Sequence, residues 1–230
     1  MEYNVENLFD VFHDSLKSDL EFLPGSVRNW TKHRFWDKLI HISQVISSTA
    51  VDQLPDAIML CEVENDSVLR YLTRRSPLRI AGYDYYITNS PDERGIDIAF
   101  LYQKATFKPL HFKEFEIDRN RIGNKPTRNI LYIEGLIQTR DTLDLFLCHF
   151  PSRAGGQRVT DSYRRYVAQV LKNQVDSIMI HRNYPRIIIT GDFNDFPDNA
   201  SLKAILKASK VEAVVNPSSL YNLMIEKKPG

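Results

Sequence analysis

The stretch RIIITGDFNDFPDN, residues 186–199, changes character in mid-course. Arg186 to Thr190 reads as a β-branched strand, and Gly, Asp, Phe, Asn and Asp follow at once. Acidic and amide side chains at a strand's end are either turn punctuation or a site for a metal ion and a phosphate. What the other strand ends carry separates the two readings.

Further β-rich runs are AIMLCEV (57–63), YDYYIT (83–88), DIAFLY (97–102), ILYIEGLI (130–137) and LDLFLCHF (143–150). Several are apolar almost throughout, which suits strands covered on both faces. Between them lie helical patterns. In 30–48, Phe35, Leu39, Ile42 and Ile46 line one face. In 162–180 a similar stripe follows Asp161, placed as an N-cap, and 65–75 and 198–209 also open with capping residues. The class is α/β or α+β, with helices packed on sheets in a single domain over 1–230. Segments 10–29 and 104–128 show no regular pattern, and loops of that length commonly frame a site.

The 230 residues, 43% of them hydrophobic, allow a substantial core. Thirty basic and 29 acidic side chains balance to +1, so overall charge does not select a polyanion. No apolar stretch approaches the roughly 20 residues that span a bilayer. No signal peptide is visible at MEYNVENLF, and no obligate protein partner is evident. Cys61 and Cys148 sit inside apolar runs and read as buried thiols.

Four strand-like runs end in polar residues: Asn4, Glu6 and Asn7; Glu62 and Glu64; His149, Ser152 and Arg153; Asp192, Asn194 and Asp195. Singly, each is a turn former or a hydrogen-bonded core residue. As a set they match metal and phosphate chemistry. Hard cations take oxygen ligands, often one or two carboxylates plus water and substrate phosphate. Glu62 and Asp192 supply carboxylates, Asn4 and Asn194 neutral amides, and His149 a donor to a phosphoryl oxygen or, when protonated, a positive charge. Zinc spacing, a Gly-rich phosphate loop and a nucleophile elbow are all lacking.

YNVENLFD, LCEVEN, RGIDIAFLY, HFPSR and GDFND, in this order across residues 3–196, resemble the endonuclease/exonuclease/phosphatase superfamily, the DNase I-like phosphodiesterases, and its bacterial members most. The resemblance implies a four-layer sandwich, two packed mixed β-sheets flanked by helices, and attack of water on a phosphoester with Mg²⁺ or Mn²⁺. It implies that Glu62 binds the metal with Glu6 nearby, and that Asp192 and Asn194 handle the water and the phosphate. It also implies that His149 contacts the scissile phosphate, that Asn4 is the asparagine of the first strand, and that Arg94 and Arg128 border the site. The family closes with an Asp-bearing strand and a Ser-Asp-His segment, whereas this sequence stops at YNLMIEKKPG. His13, His33, His41, His111 and His181 lie in no such context. The expectation is a domain lacking its C-terminal strands and weak or inactive as it stands.

The function expected is a metal-dependent phosphoesterase that hydrolyses a phosphodiester in nuclease fashion. The alternative is an inactive phosphate-binding or scaffold module of the same fold. The substrate is a phosphoester, with nucleic acid, phospholipid headgroups and small phosphoesters all open. Arg153, Arg158, Arg164 and Arg165 offer a basic rim beside HFPSR, or a solvated helix face.

Overall fold

A computed structural model of the chain describes residues 1–50, 52–211 and 215–225, so residues 226–230 of the closing stretch lie outside it. The main elements in order are β1 (Glu2–Leu8), α1 (Lys32–Ser48), β2 (Ala57–Val63), α2 (Asp66–Arg74), β3 (Asp84–Ile87), β4 (Asp97–Tyr102), β5 (Phe107–Phe115), β6 (Ile130–Ile137), β7 (Thr142–His149), α3 (Gln157–His181) and β8 (Ile187–Asp192). They build two four-stranded mixed sheets, ordered β1-β2-β4-β3 and β5-β6-β7-β8. β1 and β2 are parallel, as are β7 and β8, and the remaining neighbours are antiparallel.

The alternation of side chains along the strands produces the layers. On β2, Ile58 and Leu60 point outward into a core shared with Phe35, Leu39, Ile42 and Ile46 of α1 and Val68, Leu69 and Leu72 of α2. Met59 and Cys61 point the other way, joining Ile98 and Phe100 against Phe107, Leu131, Ile133, Leu145 and Leu147 of the second sheet. On that sheet's outer face, Tyr132, Phe146 and Cys148 pack under Val167, Ala168, Leu171 and Val175 of α3. The result is a four-layer sandwich in which the near-continuous apolar strands are those covered on both faces. Both cysteines are free and buried.

Local signals start the first two helices. The Thr31 hydroxyl accepts from the Arg34 N–H at the start of α1, and the Asn65 side chain accepts from the Val68 N–H at the start of α2. Three expectations need correction. The 104–128 segment is not irregular throughout: it contains β5, whose sequence FKPLHFKEF hides a strand behind a proline and three charges. It forms an outer edge of its sheet, with a register shift between Pro109 and His111, which is where a sheet tolerates proline. Its preceding turn, 104–106, follows the end of β4 that pairs with the start of β2, at the end of the sandwich away from Glu62. Asp161 is not the N-cap of α3, which begins at Gln157 behind Gly156. The 198–209 pattern yields only a single turn of π-helix, Ser201–Ile205.

Candidate active site

The ends of β1, β2, β7 and β8 meet, and each reaches that meeting through a departure from regular strand geometry. Regular alternation would send Glu62 outward with Ile58 and Leu60. Instead Glu62 has φ 66°, and the β2–β4 register shifts between Cys61 and Val63. A one-residue bulge of this kind re-aims a side chain. The Glu62 carboxylate accepts from the Asn7 N–H at 2.9 Å through Oε2, while Oε1 stands 3.8 Å from His149 Nε2 on the other sheet. β1 is irregular as well: Glu6 (φ 52°) and Asn7 (φ 62°) lie where its register with β2 shifts, between Asn4 and Leu8.

On β8 the device is a glycine. Gly191 pairs with Cys148 at φ 142°, and a Cβ there would lie 1.9 Å from the Cys148 carbonyl oxygen. That close approach carries β8 on for one more residue, so that Asp192 pairs in register with His149. Asp192 Oδ2 accepts from Asn4 Nδ2 at 3.1 Å and lies 3.9 Å from His149 Nε2, and Oδ1 accepts from the Asn194 N–H at 2.9 Å. Asn194, at φ 50°, donates from its amide to the Phe150 carbonyl at 3.0 Å. Two carboxylates from two sheets therefore converge on one imidazole nitrogen.

A model of the endonuclease/exonuclease/phosphatase family matches residues 1–228. The chain belongs to this family. No curated protein matches its sequence. Among solved structures this family member is similar in fold to the human Nocturnin catalytic domain with bound sulfate, at 18% identity and TM-score 0.52, over 73% of this chain and 60% of that one. It is similar to a mannosyl-6-phosphatase of Bacteroides thetaiotaomicron, at 16% identity and TM-score 0.60, over 90% and 68%. It is also similar to D. rerio TDP2 complexed with single strand DNA product, at 16% and 0.54, over 74% and 57%. The chain thus spans 57–68% of these three. The likenesses establish the DNase I-like sandwich.

Within this family fold, His149 is 4% exposed, and burial drives its pKa down to about 2, helped by the nearby Arg128 and Arg94 charges. Burial thus favours the neutral imidazole. Its Nδ1 has no hydrogen-bond partner among the described residues. The hydrogen-bond and ion-pair partners of Glu62 and Asp192 are likewise uncharged: the Asn4 amide, two backbone N–H groups and this imidazole.

The remaining expected residues divide. Arg128 is buried, donating to Asp92 Oδ2 at 3.0 Å and to the Phe150 carbonyl at 2.7 Å. Arg94 lies over the same Asp92, which accepts its backbone N–H at 3.0 Å. Both arginines therefore border His149 through one buried carboxylate. Arg153 donates to the Asn194 carbonyl at 2.7 Å and, through Nη2, to Asp195 and Asn199 at 3.2 Å each. Glu6 joins the group by its backbone alone, with its N–H on Asn4 Oδ1 and its carbonyl accepting from Lys38 Nζ. The four-arginine rim is not present: Arg164 is fully buried, its Nε 2.8 Å from Asp195 Oδ1. A groove of about 570 Å³ between β1 and α1 opens beside Asn4 and Glu6, lined by Trp30, Arg34, Lys38 and His41.

Asp92, the anchor of Arg94 and Arg128, escaped the sequence reading, and Asp195, singled out there as a strand-end acid, proves to be the anchor of Arg153 and Arg164. Asp92 stands in SPDERG, which reads as a turn. Arg128 stands in the polar run NKPTRN ahead of β6, so nothing in the sequence marks it as a buried guanidinium that needs an acid.

Proposed function

We propose that residues 1–230 belong to a single phosphoesterase domain, weakly active as this chain stands, that hydrolyses a phosphodiester with the help of Mg²⁺ or Mn²⁺. The observation that carries the reading is the convergence of Glu62 Oε1 and Asp192 Oδ2 on His149 Nε2, at 3.8 and 3.9 Å, with neutral groups as their partners. Two carboxylates converging on one imidazole, with no cationic side chain bonded to either among the described residues and Lys38 acting on Glu62 only through its charge, favour a cation. Among the described residues no three His, Cys, Asp or Glu side chains are arranged as a metal cage. The donor set therefore fits a hard ion held by Glu62 and Asp192 that completes its shell with water and phosphate oxygen, the usual manner of Mg²⁺. Glu62 and Asp192 would hold such an ion, which when bound would supply Lewis-acid polarisation of the phosphoryl group and a lowered water pKa.

The chain's own groups supply the rest. Asp192 orients the attacking water, and its negative charge favours the water's partial deprotonation. Asn4 and Asn194 hold phosphate oxygens with neutral donors, which do not repel the attacking oxygen. Neutral His149, facing the group through Nε2, donates to a phosphoryl oxygen, and Arg153 adds positive charge at the rim. The likeness to D. rerio TDP2, solved with a single strand DNA product, favours a nucleic-acid phosphodiester. The likeness to the mannosyl-6-phosphatase makes a sugar phosphate the competing small substrate.

The test is hydrolysis of bis-p-nitrophenyl phosphate and of a single-stranded oligodeoxynucleotide, with Mg²⁺, with Mn²⁺ and with EDTA. EDTA should abolish turnover, and Asp192→Asn should lower kcat/KM by about a hundredfold or more with Tm unchanged. Mn²⁺ binding, followed by electron paramagnetic resonance, should weaken in Glu62→Gln. Hydrolysis indifferent to EDTA, or Mn²⁺ binding undiminished in both variants, would overturn the assignment. Mn²⁺ and phosphate binding without hydrolysis would leave the non-catalytic binding module.

A further inference from the structure

Immediately past Asn194, the loop of residues 195–199 holds a large apolar side chain in water. Phe196 is 53% exposed. A lone exposed apolar residue is ordinary on a protein surface. Phe196 differs from the others in how firmly it is presented. Its N–H donates to Asn199 Oδ1 at 2.7 Å, and the same oxygen accepts from Arg153 Nη2 at 3.2 Å. The side chain of the preceding residue, Asp195, is fully buried and held by Arg153, Arg164 and the Ser201 hydroxyl. The Arg153 guanidinium lies over the Phe196 ring, 4.7 Å from its centroid, while its Nε bonds the Asn194 carbonyl.

We propose that Arg153 and Phe196 form a stacking platform for the nucleobase of a nucleotide substrate, beside the phosphate held at Asn4, Asn194 and His149. The proposal rests on the phosphoesterase reading and narrows its substrate class to nucleotide esters. Three physical points support it. A phenyl ring fixed by its loop loses little entropy on binding, so it is organised before the ligand arrives. A guanidinium over the ring leaves a flat cationic and aromatic surface, and bases stack on both kinds of plane. The hydrogen bond from Arg153 Nε to the Asn194 carbonyl ties this surface to the residue that handles the phosphate. A platform of this kind tolerates any base, because each base has a π-face.

The experiment measures binding of product-like probes by calorimetry with Mg²⁺ present, so no turnover is needed. The probes are thymidine 5′-monophosphate, methyl phosphate and mannose 6-phosphate, titrated into wild type, Phe196→Ala and Phe196→Trp. Wild type should bind the thymidine nucleotide about tenfold more tightly than methyl phosphate. Phe196→Ala should lose that margin while its affinity for methyl phosphate and its Tm stay unchanged. Phe196→Trp should restore the margin, and its added indole emission should be quenched by the nucleotide and not by methyl phosphate. Equal binding of nucleotide and methyl phosphate to wild type overturns the platform while the phosphate site stands. Parallel loss of all probes in Phe196→Ala shows a loop-holding role and overturns it too, as does a margin that appears only with mannose 6-phosphate. Nucleotide binding that depends on Phe196, in a protein with no hydrolytic activity, keeps the platform and removes the phosphoesterase reading. No binding of any probe removes both.

Discussion

The space between the two sheets and the crown of polar residues at the strand ends follow opposite rules. Between the sheets, Met59, Ile98, Phe100, Leu131, Ile133, Leu145 and Leu147 interdigitate and are almost wholly buried. Their strands pair in continuous register at those positions. At the crown, Glu6, Asn7, Glu62 and Asn194 all adopt left-handed backbone, two registers slip, and a buried imidazole nitrogen lacks a partner among the described residues. Such features each cost roughly 1–3 kcal/mol and persist only where surrounding structure enforces them. The sandwich is the enforcing structure, and the irregularities are what turn its alternating strands into a site.

Gly191 is where the two regions join, and the largest effect is expected there. Its missing Cβ lets β8 approach β7, and the next residue is Asp192. Gly191→Ala puts a carbon against the backbone of Cys148, which no rotamer change relieves. The variant should lose well over about 3 kcal/mol, combining overpacking with a strained φ, and should be recovered mainly as insoluble protein. A soluble Gly191→Ala protein with native Tm would show that β8 has room to shift, and that the crown is less tightly coupled to the core than the structure indicates.

The same contrast explains what was legible in the sequence. Strands β2, β4, β6 and β7 announce themselves because both of their faces are covered, so apolar residues fill most positions. β5 is an outer edge strand, where Lys108, Pro109, Lys113 and Glu114 are tolerated, and that erases the signal. The N-terminus of α3 was obscured because Asp161 resembles a cap, while the helix starts a turn earlier behind a glycine. At the site, Glu62, His149, Asp192 and Asn194 stood out as polar residues interrupting or ending apolar runs. The bulges that aim them did not, since left-handed Glu62 and Asn7 carry no glycine to mark the turn. Asp92, and the anchoring role of Asp195, were missed because their partners, Arg128 and Arg164, are remote in sequence.

A smaller effect tests whether the crown's polar groups are held at a cost to stability. Asp97 starts β4, is buried, and accepts from the Thr88 hydroxyl at 2.6 Å and the Ser90 N–H at 2.9 Å. Burial raises its pKa to about 6, against the partial compensation of these bonds. The unfolded residue ionises near pH 4. The folded state therefore keeps its proton longer, and stability from this group is full below about pH 4, falls as pH rises to about 6, and stays low above it. Asp97→Asn retains an oxygen that can accept both bonds and carries no charge. By urea denaturation it should match wild type near pH 4 and exceed it by about 2 kcal/mol at pH 7. A difference independent of pH would show that the ionised carboxylate is fully compensated and that the crown carries no penalty at this position.

The smallest stability effect makes the sharpest comparison, because two residues share one backbone conformation in two different settings. Arg140, at φ 65°, lies in the exposed turn from β6 to β7, and Glu62, at φ 66°, faces His149 and Asp192. Left-handed backbone costs a non-glycine residue about 1 kcal/mol, and glycine's larger unfolded-state entropy cancels part of the relief. Arg140→Gly should gain about 0.5 kcal/mol, with phosphoester hydrolysis and Mn²⁺ binding unchanged. Glu62→Gly relieves the same backbone but removes the acceptor of the Asn7 N–H, a bond worth about 1 kcal/mol, so its stability should stay close to wild type. Its hydrolysis and Mn²⁺ binding should nevertheless collapse, because the side chain that the bulge aims across the sandwich is gone. If Glu62→Gly kept both activities, the bulge in β2 would be turn geometry like that at Arg140, and the carboxylate pair would not be the centre of the site.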